Sequence, residues 1–168
     1  MAILEVLRYP DARLKQVSAA VTAFDDDLRR FAADLEATLR ASPGCVGLAA
    51  PQVNYFQRIA LVDVSARPKI KHNGRLLLIN SEVIEQQGQI VGREGCLSVP
   101  DYTGNVARAE RIRVRSRNLG GALHEYQCEG YEARAVSHEI DHLDGVLFLD
   151  RVESPRQDLF RRKVYKSP

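Results

Sequence analysis

Leu28, Phe31, Leu35 and Leu39 recur at helical spacing along DDDLRRFAADLEATLRA (25 to 41), with acidic residues opening the first turn. This pattern predicts an amphipathic helix, stopped by Ser42-Pro43-Gly44. RIALVDV (58 to 64) and RLLLIN (75 to 80) are short branched-aliphatic runs and predict strands. RIRVRSR (111 to 117) alternates strictly, which predicts a strand with Ile112 and Val114 inward; LHEYQC (123 to 128) is a further strand candidate. A second helix is predicted from about Gly130 to Asp144, closed by Gly145 where a helix C-terminus favours glycine. In it Ala135, His138 and His142 share one stripe, and Val136, Ile140 and Leu143 cover much of the remainder, so the helix should be buried. The tail SPRQDLFRRKVYKSP predicts a short basic helix at about 154 to 165.

Helices segregated from several strands imply an α+β fold, antiparallel strands packed around the central second helix. At 168 residues, with no internal repeat or linker, one catalytic-sized domain over 1 to 168 is expected. A net charge of +2 from 24 basic and 22 acidic residues gives no general reason to expect nucleic acid or anionic membrane. No apolar run approaches the ~18 residues of a membrane span. MAILEVLRYP lacks a basic start and a long apolar segment, so no secretory signal is expected there. Three cysteines argue for a reducing compartment over a disulfide framework, and the expected location is the cytoplasm.

The chemistry concentrates in SHEIDHLDG (137 to 145). Residues four apart on a helix lie one turn above each other, so His138 and His142 can aim both imidazoles at one ion. Glu139 is rotated about 100° from His138, close enough to touch a water on that ion without ligating it. The plainer reading makes both histidines satisfied core residues. A chemically active site usually needs a third protein ligand. The metzincin peptidase pattern is followed to Gly145 but has Phe148 in place of its histidine, and Glu153 lies too close downstream to serve as in thermolysin-like enzymes. Upstream candidates are His72, His124, Cys45, Cys96 and Cys128. His72 reads as an exposed turn and His124 as part of a strand. Cys96, in GREGCLSVP, sits where glycine and proline make the backbone irregular, and a thiolate with two imidazoles leaves a fourth position open. Its plainer fate is that of a small buried apolar residue.

GLAAPQ (47 to 52), EGCLSVP (94 to 100) and HEIDHLDG (138 to 145) together resemble, in order and spacing, the three signature motifs of the peptide deformylases. LRYPDARLK (7 to 15) and LFLDRV (147 to 152) extend the resemblance over nearly the whole chain. It implies that Cys96, His138 and His142 hold a divalent metal and that Glu139 is the acid/base acting on the metal's water. Gln52 and the backbone N–H of Leu97 would then be donors to the oxyanion. The implied substrate is the N-formyl group of formyl-methionyl nascent chains, released as formate. The implied metal is ferrous iron (Fe2+), with Zn2+, Ni2+ or Co2+ as substitutes. On this reading Val46, Gly47 and Gly95 hydrogen-bond the peptide as an added strand. Val46, Tyr131 and Ala135 would form the methionine pocket, with core packing as their plainer role, and Glu94 would pair with Arg108 to brace the Cys96 loop. The chain departs from the family pattern at Cys45, where a glycine is usual, and at Ser137, where glutamine is usual. Cys45 should narrow the mouth of the site, whereas Ser137 should point away from the metal face.

Arg111, Arg113, Arg115 and Arg117 share one face of their strand, but no aromatic residues interleave with them as single-strand binders require, so a solvated face is expected, with no specific DNA partner. The basic C-terminal segment is a candidate for transient contact with the ribosome. Two other functions are open to this sequence: a zinc endopeptidase of the HExxH type, and a catalytically silent metal-binding or ribosome-associated homologue. Glu139 and Gln52 are both in place, and a degenerate copy would be expected to have lost one.

Overall fold

The computed structural model describes residues 1 to 162. Helix α1 (Asp26–Arg40) begins where Asp25 accepts a hydrogen bond from the Leu28 N–H at 3.0 Å, satisfying one of the amides a helix start leaves unpaired. It buries Leu28, Ala32, Leu35 and Leu39, while Phe31 is half-buried and stacks on Tyr55 at 4.0 Å between ring centroids. Strand β1 (Gly47–Ala49) leads into a single 3-10 turn, Ala50–Val53, which carries Gln52. Strands β2 (Ile59–Asp63) and β3 (Arg75–Gln87) follow as antiparallel neighbours. Next come β4 (Ile90–Cys96), β5 (Val99–Arg108), β6 (Arg111–Arg117) and β7 (Leu123–Glu129). Helix α2 (Gly130–Leu143) precedes the short α3 (Phe148–Arg151) and α4 (Pro155–Asp158) and the final strand β8 (Leu159–Arg161).

Two antiparallel sheets result, one ordered β1-β2-β3-β6-β7 and the other β4-β5-β8. α2 lies against the larger sheet, where Ala133, Val136, Ile140 and Leu143 join Ala60, Val62, Leu78 and Val114 in one buried cluster. The helix is buried on most of its sides, with its apolar residues against this sheet and the β4–β5 hairpin meeting Arg134 and His138 on another flank. On β6, Ile112 and Val114 are buried as the alternation required. Its outward arginines are met by acids: Arg113 by Glu85, Arg115 by Glu125 and Glu82, and Arg111 by Glu129. No helix among the described residues is long and apolar enough to cross a membrane.

The structure differs most from the expectation in two regions. The β4–β5 hairpin was not predicted, because its inward positions are Glu94, Cys96, Val99, Gly104, Val106 and Arg108. Half of these are charged or glycine, so the alternation is present in space but absent from the hydropathy. The basic helix expected at about 154 to 165 is replaced, as far as residue 162, by one helical turn and then β8, which pairs with Tyr102–Gly104. Leu159 and Phe160 are half-buried there, and the Arg93 guanidinium lies over the Phe160 ring at 3.7 Å, so the apolar residues of the tail cover an open sheet edge instead of forming a helix face. The remainder of that segment, 163 to 165, lies outside the described residues.

Candidate active site

The irregular backbone expected around Cys96 is a tight hairpin. Cys96 pairs with Val99, the register shifts after Glu94, and Leu97 and Ser98 make the turn. That turn pushes Cys96 towards α2, where its Sγ lies 3.3 Å from Nε2 of His142. One ligand atom from each of Cys96, His138 and His142 lies within 4.8 Å of the others, and all three side chains are buried. The other upstream candidates fall elsewhere. His72 and Cys128 line a separate cavity, and His124 sits 3.1 Å from the Asn118 side chain. Cys45 lines the same cleft as Cys96 without joining its cluster, and burial pushes its thiol pKa up.

Glu94 organises the site from behind. It is buried, accepts from Nδ1 of His138 at 2.9 Å, and receives Arg108 at 2.6 and 2.9 Å and Arg134 at 2.6 Å. Burial acts to raise its pKa, but hydrogen bonds from His138 and Arg108 win and hold it at about 2. A carboxylate on Nδ1 fixes the tautomer of His138 and leaves the lone pair of Nε2 for an electrophile. Arg108 also donates to Asp141 at 2.8 Å, and Asp141 takes Arg151 at 2.5 and 2.8 Å. Arg134 and Asp141 were not anticipated. The available signal was charge on a helix otherwise predicted buried, since such groups need counter-ions there.

Glu139 behaves differently. Its carboxyl is buried, Oε1 has no hydrogen-bond partner among the described residues, and burial pushes its pKa up to about 7. It fits only because residue 47 is glycine: a Cβ there would lie 2.5 Å from Oε2 and 2.9 Å from Cδ and Cγ of Glu139. Gln52, also buried, accepts from the Ala49 N–H at 2.9 Å through Oε1. Its Nε2 donates to Ser98 Oγ at 3.0 Å and lies 3.6 Å from the Cys96 sulfur. The amide is thereby held with its donor end towards the cysteine and histidine cluster.

Gln52, Cys96, Leu97, His138 and Glu139 line one cleft of about 430 Å³, together with Val46, Gly47, Gly95, Tyr131 and Ala135. Val46 and Tyr131 also pack against the main core cluster, so their two readings coexist. Ser137 lines a different cavity, beside Ile140 and Asp141, away from the metal-facing cleft. A soft thiol and two imidazoles, buried with one imidazole already oriented by a carboxylate, suit a borderline divalent transition ion better than calcium or magnesium.

The polypeptide deformylase family model matches residues 3–158. The chain belongs to that family. It is 44% identical to the peptide deformylase of Alkalilimnicola ehrlichii over 99% of this chain and 91% of that one. It is 39% identical to the peptide deformylase of Thermodesulfovibrio yellowstonii over 97% of each. Among solved structures, the peptide deformylase of Thermotoga maritima superposes with a TM-score of 0.84 at 35% identity, covering 92% of this chain and all of that one. The Met-Ala-Ser-bound class I type b peptide deformylase of Acinetobacter baumannii does so with the same score and identity, covering 90% and 99%. The deformylase is accordingly a metal-dependent hydrolase that removes the N-terminal formyl group from formyl-methionyl peptides. The endopeptidase and silent-homologue readings find no support.

Proposed function

We propose that Cys96, His138 and His142 hold a single divalent ion, ferrous iron in the cell with zinc, nickel or cobalt as substitutes, and that Glu139 carries the proton of the reaction. The observation that carries this reading is a buried carboxyl without a partner, set beside the only Cys-His-His cluster among the described residues. When bound, the ion supplies a Lewis acid that polarises the formyl group and acidifies a water to about neutral pH. Glu139 takes the proton of the attacking water and returns it to the departing amine. Burial holds its carboxyl above the usual carboxylate range, which favours return of the proton after it has been taken.

The donor end of Gln52 and the N–H of Leu97 receive the oxyanion, and loss of either should cost ~3 kcal/mol in the barrier. Gln52 needs no reorganisation for this, since Ala49 and Ser98 already fix its amide. Val46, Gly47 and Gly95 take the peptide backbone along the strand edges, and Val46, Tyr131 and Ala135 receive the methionine side chain. The tripeptide in the Acinetobacter baumannii structure supports a cleft that accommodates residues beyond the methionine. The deformylase acts as one domain in the cytoplasm, and its basic C-terminal segment touches the ribosome transiently. Ribosome co-sedimentation unchanged by removal of residues 155 to 168 would count against that contact.

Glu139→Ala tests the central assignment. The variant should retain the parent's metal content and lose formate release from formyl-Met-Ala-Ser by about a hundredfold or more. Turnover at the parent rate would overturn it.

A further inference from the structure

The mouth of the cleft carries positive charge that the chemistry inside does not use. Arg67, Arg93 and Arg162 all line it and are all exposed. Among the described residues none of the three pairs with an acid, whereas other exposed arginines do, such as Arg13 with Asp11 and Arg115 with Glu125. The fourth arginine of the lining, Arg134, is turned inward onto Glu94.

Two of the free guanidiniums are held in place by uncharged neighbours, and the third is placed by its backbone. Arg67 lies over the Tyr131 ring at 4.0 Å. Arg93 lies over Phe160 at 3.7 Å and donates to Asn105 Oδ1 at 3.1 Å and to Thr103 Oγ1 at 3.4 Å. Arg162, anchored by its own N–H on the Asp101 carbonyl at 2.8 Å, reaches Gly95, where an added Cβ would lie 2.7 Å from Nη2. A stacked guanidinium is partly pre-ordered and keeps its charge and its unused donors, such as Nη2 of Arg93, for an incoming carboxylate. The three also stand on two walls. Arg67 belongs to the α2 side through Tyr131, and Arg93 and Arg162 belong to the β4–β5–β8 side.

A peptide lying along Gly47 and Gly95 places successive side chains on opposite sides. Beyond the methionine, the next two side chains therefore face these two walls. We propose that the cleft discriminates among formyl-methionyl peptides by charge, favouring those with an acidic side chain at the second or third residue, with Arg67, Arg93 and Arg162 as the specificity-determining residues. The inference rests on the functional reading above. Three like charges around one cleft repel each other and attract anions from a distance, so the preference should appear in kcat/KM and fade with salt.

The test compares C-terminally amidated formyl-Met-Ala-Ala with the formyl-Met-Glu-Ala and formyl-Met-Ala-Glu peptides and their lysine counterparts. Exchanging lysine for glutamate replaces repulsion by attraction, so kcat/KM should rise about tenfold at low salt at one position at least. At about 0.5 M salt the ratio should shrink towards about twofold. Changing all three arginines to alanine should bring the ratio close to one, whereas Arg93→Lys, which keeps the charge, should preserve most of it. The salt response is read on the parent protein, so the test stands even if the triple variant fails to fold. Equal rates, or a preference for lysine, with the alanine peptide turned over, would overturn the charge selection and leave the deformylase assignment intact. No formate from the alanine peptide would overturn the functional reading and the inference together.

Discussion

Replacing Gly47 with alanine adds one methyl group in the wall of the cleft, and its effect can be worked out from Glu139. The new Cβ would lie 2.5 Å from Oε2 and 2.9 Å from both Cδ and Cγ. Three side-chain atoms are crowded together, so rotating the carboxylate tip alone gives no relief. Gly47 is fixed in β1 opposite Val62, and the wall cannot retreat without breaking that ladder. The Glu139 carboxyl must therefore shift by roughly 1 Å, and a misplacement of that size at a reacting group costs on the order of a hundredfold in rate. The three atoms nearest the added methyl all belong to Glu139 and none to a metal ligand. Gly47→Ala should thus show parental metal content and a melting temperature near the parent's, with kcat for formyl-Met-Ala-Ser down about a hundredfold. A turnover within about threefold of the parent would refute a fixed Glu139 carboxyl as the proton carrier.

Glu94→Ala leaves Arg108 and Arg134 without their shared carboxylate and His138 Nδ1 without its acceptor. Uncompensated buried charge costs about 3–5 kcal/mol, and loss of a ligand's orienting partner typically lowers metal affinity about 10–100-fold. Denaturant unfolding and competition with a chelator measure the two, and a loss under about 1 kcal/mol would contradict the network. Asp63 is held at about 2 by Ser65 and Arg40 although burial opposes it. Because its folded pKa is depressed, its contribution is complete above the unfolded value and is lost as pH falls towards about 2. The stability gap between the parent and Asp63→Asn should therefore narrow on acidification below about pH 5, and a gap that widens would reverse the sign.

What the chain discloses by pattern alone tracks how local each feature is. α1 was legible because its stripe, acidic first turn and Ser-Pro-Gly stop are read within one window. α2 was legible for the same reason, and Gly145 at its end takes φ +73°, the left-handed region that glycine favours. Cys96 could be narrowed down as a ligand by its glycine-flanked bend, but only the hairpin turn shows how it meets His142. The β4–β5 hairpin was hidden because Glu94 and Arg108 occupy inward positions, which in one dimension look like surface. Their burial makes sense only once each is seen to satisfy the other across the strands and Arg134 to join them from α2. Gly47 is a similar case: its neighbour Glu139 is distant in sequence, so no local signal says that residue 47 must lack a side chain. The tail misled because SPRQDLFRRKVYKSP suggested a short basic helix, whereas Leu159 and Phe160 decide its place by covering the open edge of β5.

X-ray absorption at the metal edge of zinc-loaded protein asks most directly whether the sulfur of Cys96 completes the site. One sulfur at about 2.3 Å with two imidazole nitrogens at about 2.0–2.1 Å is expected, and the sulfur should vanish in Cys96→Ala. A parent spectrum with nitrogen and oxygen neighbours alone would mean that the ion sits between the two histidines without the thiol, contrary to the ligand set proposed for this deformylase.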